Sequence, residues 1–228
     1  MTAADTTVKM VQLAHPRADI GVQEFHDHWR HPHATLVRDI RPIRHYVQNH
    51  RITSDVFTDS DSTYRGIAEC WFDSLASNQG LATDPQYVNH VGPDEPEFVD
   101  QSKHLITITT EQVIHTNRGD IAPDAPAGDL YWSDKDAPTY IALWQFVRDH
   151  SAHWSREESL KVSHSLDAFR QVINRSVDPT SDIAAVRQFY WPSLTAFEHA
   201  VTTHPTAFED LRATPDSFLF LTHAERIF

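Results

Sequence analysis

The sequence predicts an α+β fold in which one βαββαβ unit is written twice. Three observations carry this. Apolar residues alternate with period two over eight short segments and recur at helical spacing between them. The order strand, helix, two strands, helix, strand appears in the first half and again in the second. Residues 116–138, with two Gly, three Pro, five Asp and no periodicity, separate the halves.

Val8 to Ala14 alternates as a strand. Asp19 is placed to cap a helix from about Val22, with an apolar stripe at Val22, Phe25, Trp29, Leu36 and Ile40. Ile43 to Ile52 and Tyr64 to Phe72 read as strands, and Asp73 or Ser74 caps a short helix through Leu81. A polar stretch, Asp84 to Asp100, leads to the strand His104 to Ile114, rich in Thr, Ile and Val. In the second half Tyr140 to Val147 is a strand, and Arg156 to Arg170 a helix capped by Ser155. Gln171 to Val177 and Ala185 to Trp191 are strands. Ser193 caps a helix to about Thr202, Pro205 to Leu211 adds a further turn, and Phe218 to Arg226 is the last strand.

The third strands echo each other: Glu69-Cys70-Trp71-Phe72-Asp73-Ser74-Leu75 against Phe189-Tyr190-Trp191-Pro192-Ser193-Leu194. This places Trp71 and Trp191 alike. The unit is the ferredoxin-like split βαβ arrangement, which leaves one sheet face bare of its own helices. Trp144, Phe146, Phe189, Trp191, Phe218 and Phe220 are too apolar for that face to meet water. Two antiparallel sheets packed face to face are therefore expected, within one chain or between two. The domains read as residues 1–115, a linker over 116–138, and 139–228.

Composition narrows the function. The 228 residues carry a formal net charge of -13, which repels phosphate backbones and argues against a nucleic-acid partner. No apolar run of about 18 residues exists, so no membrane span is expected. The start, Met1-Thr2-Ala3-Ala4-Asp5, lacks the basic and apolar stretches of a signal peptide. With a single cysteine, Cys70, no disulfide framework is possible, and the cytoplasm is the expected compartment. No glycine-rich phosphate loop and no Gly-x-Ser-x-Gly elbow occur, which disfavours nucleotide binding and serine hydrolysis.

The densest chemistry is the histidine group Phe25-His26-Asp27-His28-Trp29-Arg30-His31-Pro32-His33, followed by His45-Tyr46-Val47-Gln48-Asn49-His50. Imidazole titrates near neutrality, so such a group is a candidate for proton transfer. On a helical wheel His33 points inward, His28 lies at the margin and His31 faces water. Pro32 should kink or end the helix. A metal site is the rival, but the wheel sets His26 and His33 on one face and His28 and His31 away from it; no metal and no cofactor are expected. On the strand, Tyr46, Gln48 and His50 share one face and His45, Val47 and Asn49 the other. Glu69 is a carboxylate in an apolar strand, able to orient a histidine or to pair with Arg65 or Arg44.

Phe25-x-x-His28-Trp29-x-x-x-His33, Tyr46-Val47-Gln48-Asn49-His50 and Asp94-Glu95-Pro96-Glu97-Phe98-Val99-Asp100 resemble the EthD-like family of the dimeric α+β barrel superfamily. The resemblance covers about residues 6–115. The second half is similar to the superfamily fold only, without the His-Trp pair, and reads as a degenerate copy completing the barrel. The resemblance implies a cofactor-independent enzyme acting on a small molecule.

The expected function is a cofactor-free lyase, most directly a decarboxylase of a hydrophobic aromatic or polyketide-like carboxylic acid. His33, His50, Tyr46 and His28 are its catalytic candidates. Phe25, Trp29, Asn49, Glu69, Trp71 and His104 are its substrate-binding candidates. The alternatives are a dehydratase, cyclase, isomerase or cofactor-free monooxygenase on a similar substrate, or a non-catalytic small-molecule or metal-binding module. A homodimer is expected, with a self-closed monomer as the alternative.

Overall fold

The computed structural model describes residues 6–60, 62–115 and 139–228. The expected linker, 116–138, lies outside the described residues. The chain forms two compact units. One holds residues up to His50, Ser62–Ile108 and Glu225–Phe228; the other holds Arg51–Asp61 and Thr109–Ala224.

In the first unit, β1 (Val8–Ala14), β2 (His45–Arg51) and β3 (Gly66–Phe72) pair antiparallel, with β3 central. The fourth strand, β4 (Leu105–His115), begins here and ends in the second unit. Helices α1 (Val22–His28), α2 (Ala34–Val37), α3 (Leu75–Gly80) and the short α4 (Gly92–Asp94) accompany this sheet. In the second unit, β5 (Thr139–Val147), β6 (Arg170–Ser176), β7 (Ala185–Trp191) and β8 (Ser217–Arg226) run in the order β8-β5-β7-β6, with β4 beside β6. Helices α5 (Arg156–Ser165), α6 (Leu194–Thr203) and α7 (Pro205–Arg212) belong to it. The predicted α+β fold with a repeated ferredoxin-like unit is the observed one.

The caps follow side-chain chemistry. Ser74 and Ser193 each accept from the backbone N–H three residues on, and Ser155 forms a reciprocal capping box with Glu158. Asp19 does not cap α1. Gly21 is the N-cap, and Asp19 is taken up by Arg17 at 2.5 Å. Val22 is 48% exposed and leaves the predicted stripe. Helix α5 ends at Ser165, not near Arg170, because Asp167 turns to positive φ (52°) and β6 starts at Arg170.

The third-strand echo needs a one-residue correction. Ser74 and Ser193 are equivalent caps, so Trp191 corresponds to Phe72 and Trp71 to Tyr190. One residue reverses the face of a strand side chain. Phe72 and Trp191 pack in the two helix-side cores, whereas Trp71 lies on the opposite face with Lys9 over its ring at 4.9 Å. Phe189 also joins the helix-side core, so it and Trp191 leave the group assigned to the bare face. Among the described residues no helix is long and apolar enough to cross a membrane.

Candidate active site

The site lies on the helix-side face of the first sheet. Alternation puts Met10, Gln12, Ala14, Tyr46, Ala68 and Cys70 on this face, where they line a cavity. Its empty volume is about 520 Å³, the mouth included. Trp29 and His33 close one side; Tyr87, Glu95 and Phe98 close another.

Helix α1 does not run on to Ile40. His31 adopts extended backbone (φ -160°, ψ 122°). One extended residue resets the helical phase, so the wheel's separation of His28 from His33 fails, although His33 and Ile40 do face inward as the wheel places them. His28 and His33, which the wheel separated, converge on one carboxylate. His28 Nε2 lies 3.0 Å from Asp94 Oδ1, and His33 Nδ1 lies 2.8 Å from Asp94 Oδ2. Phe98 packs on both imidazoles, with ring centroids at 4.7 and 4.9 Å.

Burial opposes ionisation of Asp94, but hydrogen bonds from His33 and His28 outweigh it and hold the carboxyl below its ordinary range. An ionised Asp94 accepts the Nδ1–H of His33 and fixes that tautomer. Nε2 is then left with its lone pair, and it has no hydrogen-bond partner among the described residues. His33 is 6% exposed and lines the cavity. This is the arrangement of a general base held by a carboxylate.

Tyr46 is the second polar group in the wall. Its hydroxyl accepts from Trp29 Nε1 at 2.8 Å and from Gln48 Nε2 at 3.1 Å. Both lone pairs are then occupied, and the O–H proton is left to donate. Burial pushes this phenol well above its ordinary range, so it stays protonated. The Trp29 indole is positioned by Gly66: a Cβ there would fall 2.1 Å from Trp29 Cζ3. Only glycine admits the ring at this distance.

Glu95 is half-buried, and its Oε2 accepts from Gln101 Nε2 at 2.6 Å. Burial raises its carboxyl. Burial likewise pushes the nearby Tyr87 up to about 12 and raises the Cys70 thiol, leaving Cys70 inert. Among the described residues no group of three or more His, Cys, Asp or Glu is arranged to hold a metal ion.

The other predicted residues lie elsewhere. His50 shares the Tyr46 face but is turned to His26, Nδ1 to Nδ1 at 2.8 Å, and packs on Trp29 at 4.8 Å, outside the cavity lining. Phe25 stands behind the wall against Trp29 and Phe98. Asn49, Glu69 and Trp71 are on the opposite sheet face. Glu69 pairs with Lys9 at 2.9 Å rather than with Arg65 or Arg44, and accepts from Asn49 at 2.9 Å. His104 touches the site at second hand: its Nδ1 lies 3.0 Å from Gln12 Nε2, and burial lowers its pKa. Asp94, Glu95, Gln12 and Tyr87 were not predicted as site residues. The sequence signal for the two acids is the stretch Asp94-Glu95-Pro96-Glu97-Phe98, part of the family resemblance.

Residues 17–102 match the model of the EthD domain. Over 100% of its length the chain is similar to a protein described as anthrone oxidase-like, at 9% identity, covering 96% of that chain with a TM-score of 0.58. That likeness speaks for the fold alone. An EthD family protein from Bacillus halodurans C-125 is 22% identical over 45% of this chain and 96% of its own, with a TM-score of 0.37. A candidate monooxygenase from Lactobacillus acidophilus NCFM covers 98% of this chain and 95% of its own at 11% identity, with a TM-score of 0.49. No curated protein matches.

Proposed function

With an EthD domain over residues 17–102 as the premise, we propose that the first unit is the catalytic half of a small-molecule enzyme. It removes a proton from carbon on a neutral, hydrophobic, enolisable substrate. The observation that carries this reading is the Asp94–His33 pair, which presents an imidazole Nε2 at the wall of a mostly apolar cavity. Nε2 takes the proton, the Asp94 carboxylate stabilises the imidazolium, and the Tyr46 hydroxyl donates to the oxygen on which enolate charge develops.

Decarboxylation by the same residues is the weaker reading. It would bring a carboxylate into a cavity whose lining holds Glu95 and neither Lys nor Arg. A neutral carbon acid meets no such cost. Oxygenation is the fate of the enolate that the whole-chain likeness to an anthrone oxidase-like protein brings forward. In it a CH2 group and O2 give a carbonyl and water.

Anthrone in D2O tests the reading in two steps. Under nitrogen, deuterium exchange at its CH2 isolates proton removal. In air, oxygen uptake reports the later step. Wild-type protein should accelerate exchange, and His33→Ala should lower that acceleration at least tenfold while remaining folded. Equal exchange in both proteins would refute the role of His33. Exchange without oxygen uptake would leave proton transfer standing and remove oxygenation.

A further inference from the structure

The second unit has a cavity of its own, with an empty volume of about 1170 Å³, the mouth included. At its base lies Arg187 of β7, only 4% exposed. With the Gln171 amide turned so that its nitrogen serves Ser163 Oγ and Ser159 O, its oxygen accepts from Arg187 Nε and Nη2 at 3.0 and 3.2 Å. Nη1 donates to Gln145 Oε1 at 3.2 Å. Three of the five guanidinium N–H donors are thus used, all by neutral amides. Trp154 and Phe189 cover the group at 4.8 and 5.0 Å. No carboxylate among the described residues lies within ion-pair distance of it. Burial alone lowers its pKa to about 10, so it stays charged at neutral pH. A buried cation without a counter-ion is costly, and a bound anion removes that cost.

We propose that this cavity binds the carboxylate of a small apolar organic acid, with Arg187 as its anchor. A second feature points the same way. The first turn of α7, Pro205 to Ala207, lines the cavity, and this helix start has no side-chain cap. Pro205 carries no N–H and the Ala207 N–H already donates to His204 O at 3.1 Å, so this helix start offers an anion its positive potential and the Thr206 N–H. Val162, Ala207 and Leu211 supply apolar wall for the body of the acid. Asp210 also lines the cavity, is exposed, and opposes a bound anion.

The site occupies the same strand positions as the first cavity. Gln145 faces Arg187 across the β5–β7 ladder as Gln12 faces Ala68 across β1–β3. Arg187 therefore stands where Ala68 lines the other cavity. The second unit is a differently charged site and not merely a degenerate copy.

Calorimetric titration of the full chain with benzoate, inorganic phosphate and neutral benzyl alcohol tests this. Benzoate should bind saturably and benzyl alcohol should not. Arg187→Gln should weaken benzoate at least tenfold, and His33→Ala should leave it unchanged. Asp210→Asn, at an exposed position that does not endanger folding, should tighten it several-fold and decides the matter if Arg187→Gln does not fold. The proposal is overturned if benzoate does not saturate, if phosphate binds more tightly, or if Asp210→Asn has no effect. It is also overturned if His33→Ala abolishes benzoate binding, since the acid would then sit in the first cavity.

Discussion

Asp94→Asn separates a catalytic dyad from mere packing, because it keeps the shape and removes the charge. His33 Nδ1 and Asp94 Oδ2 are 2.8 Å apart, and their side chains are 8% and 14% exposed. When His33 takes a proton, imidazolium and carboxylate charges face each other across this 2.8 Å contact, taken as about 4.5 Å between charge centres for Coulomb's law. At an effective dielectric constant of about 20 their attraction is about 4 kcal/mol. The amide oxygen of Asn still accepts one hydrogen bond, so a loss of about 3 kcal/mol is expected, or about 100-fold in rate. Deuterium exchange into anthrone under nitrogen measures this directly. The variant should melt within a few degrees of wild type, since His28 and His33 retain Phe98 as packing partner. An exchange rate within threefold of wild type would refute the dyad.

Tyr46→Phe should slow the same exchange about 100-fold, the typical loss of one oxyanion donor, and strand the Trp29 N–H at about 1–3 kcal/mol; urea unfolding separates the two effects. Gly66→Ala puts a methyl 2.1 Å from Trp29 Cζ3 and should cost about 1–3 kcal/mol, read from the urea midpoint. His26 is held neutral, its pKa lowered from 6.5 to about 4, chiefly by burial and then by the Arg30 charge. Its contribution is fully present above pH 6.5 and is lost as pH falls toward 4. The shift corresponds to about 3 kcal/mol, discounted to about 2 for solvent screening, and His26→Asn should flatten the wild-type decline in unfolding free energy between pH 7 and 4.5. Burial raises the Glu95 carboxyl, so its ionisation weakens the fold as pH rises past the usual carboxylate range; Glu95→Gln should raise the melting temperature at pH 7 and leave it nearly unchanged at pH 4.

The repeated unit was legible because its signals are local. Period-two alternation and the Ser caps at Ser74, Ser155 and Ser193 need no tertiary information. Trp71 and Trp191 look equivalent by residue type, but the capping serines Ser74 and Ser193 set their register one residue apart. Aromatic identity does not specify a sheet face, whereas spacing from the cap does. The site was half legible for a similar reason. His33, Tyr46 and Trp29 followed from type and spacing and do line the cavity. The pairing of His28 with His33 did not, because it depends on extended backbone at His31 and on a carboxylate 61 residues from His33. Strand parity had already divided Tyr46 from Asn49, and it equally removes Glu69 and Trp71.

The two cavities show how little of the scaffold has to change for their chemistry to diverge. Gln12 and Gln145 are equivalent, and from the first strand of its unit each hydrogen-bonds a neighbour, His104 in one and Arg187 in the other. Tyr46 faces Cys70 on one ladder as Gln171 faces Phe189 on the other. Replacing Tyr46 by Gln171 exchanges a proton donor for an amide that steadies a cation. Replacing Ala68 by Arg187 then fills the floor with positive charge. In the first unit the small Ala68 leaves room over the sheet, and the charges nearest the cavity, Asp94 and Glu95, are negative and titratable. An imidazole held by Asp94 is suited to accept a proton from a neutral guest, while a guanidinium that does not titrate near neutrality is suited only to hold an anion. The duplicated sheet therefore supports two sites of opposite charge preference, one set by the Asp94–His33 pair beside Tyr46 and Ala68, the other by Gln171 and Arg187 at the equivalent strand positions.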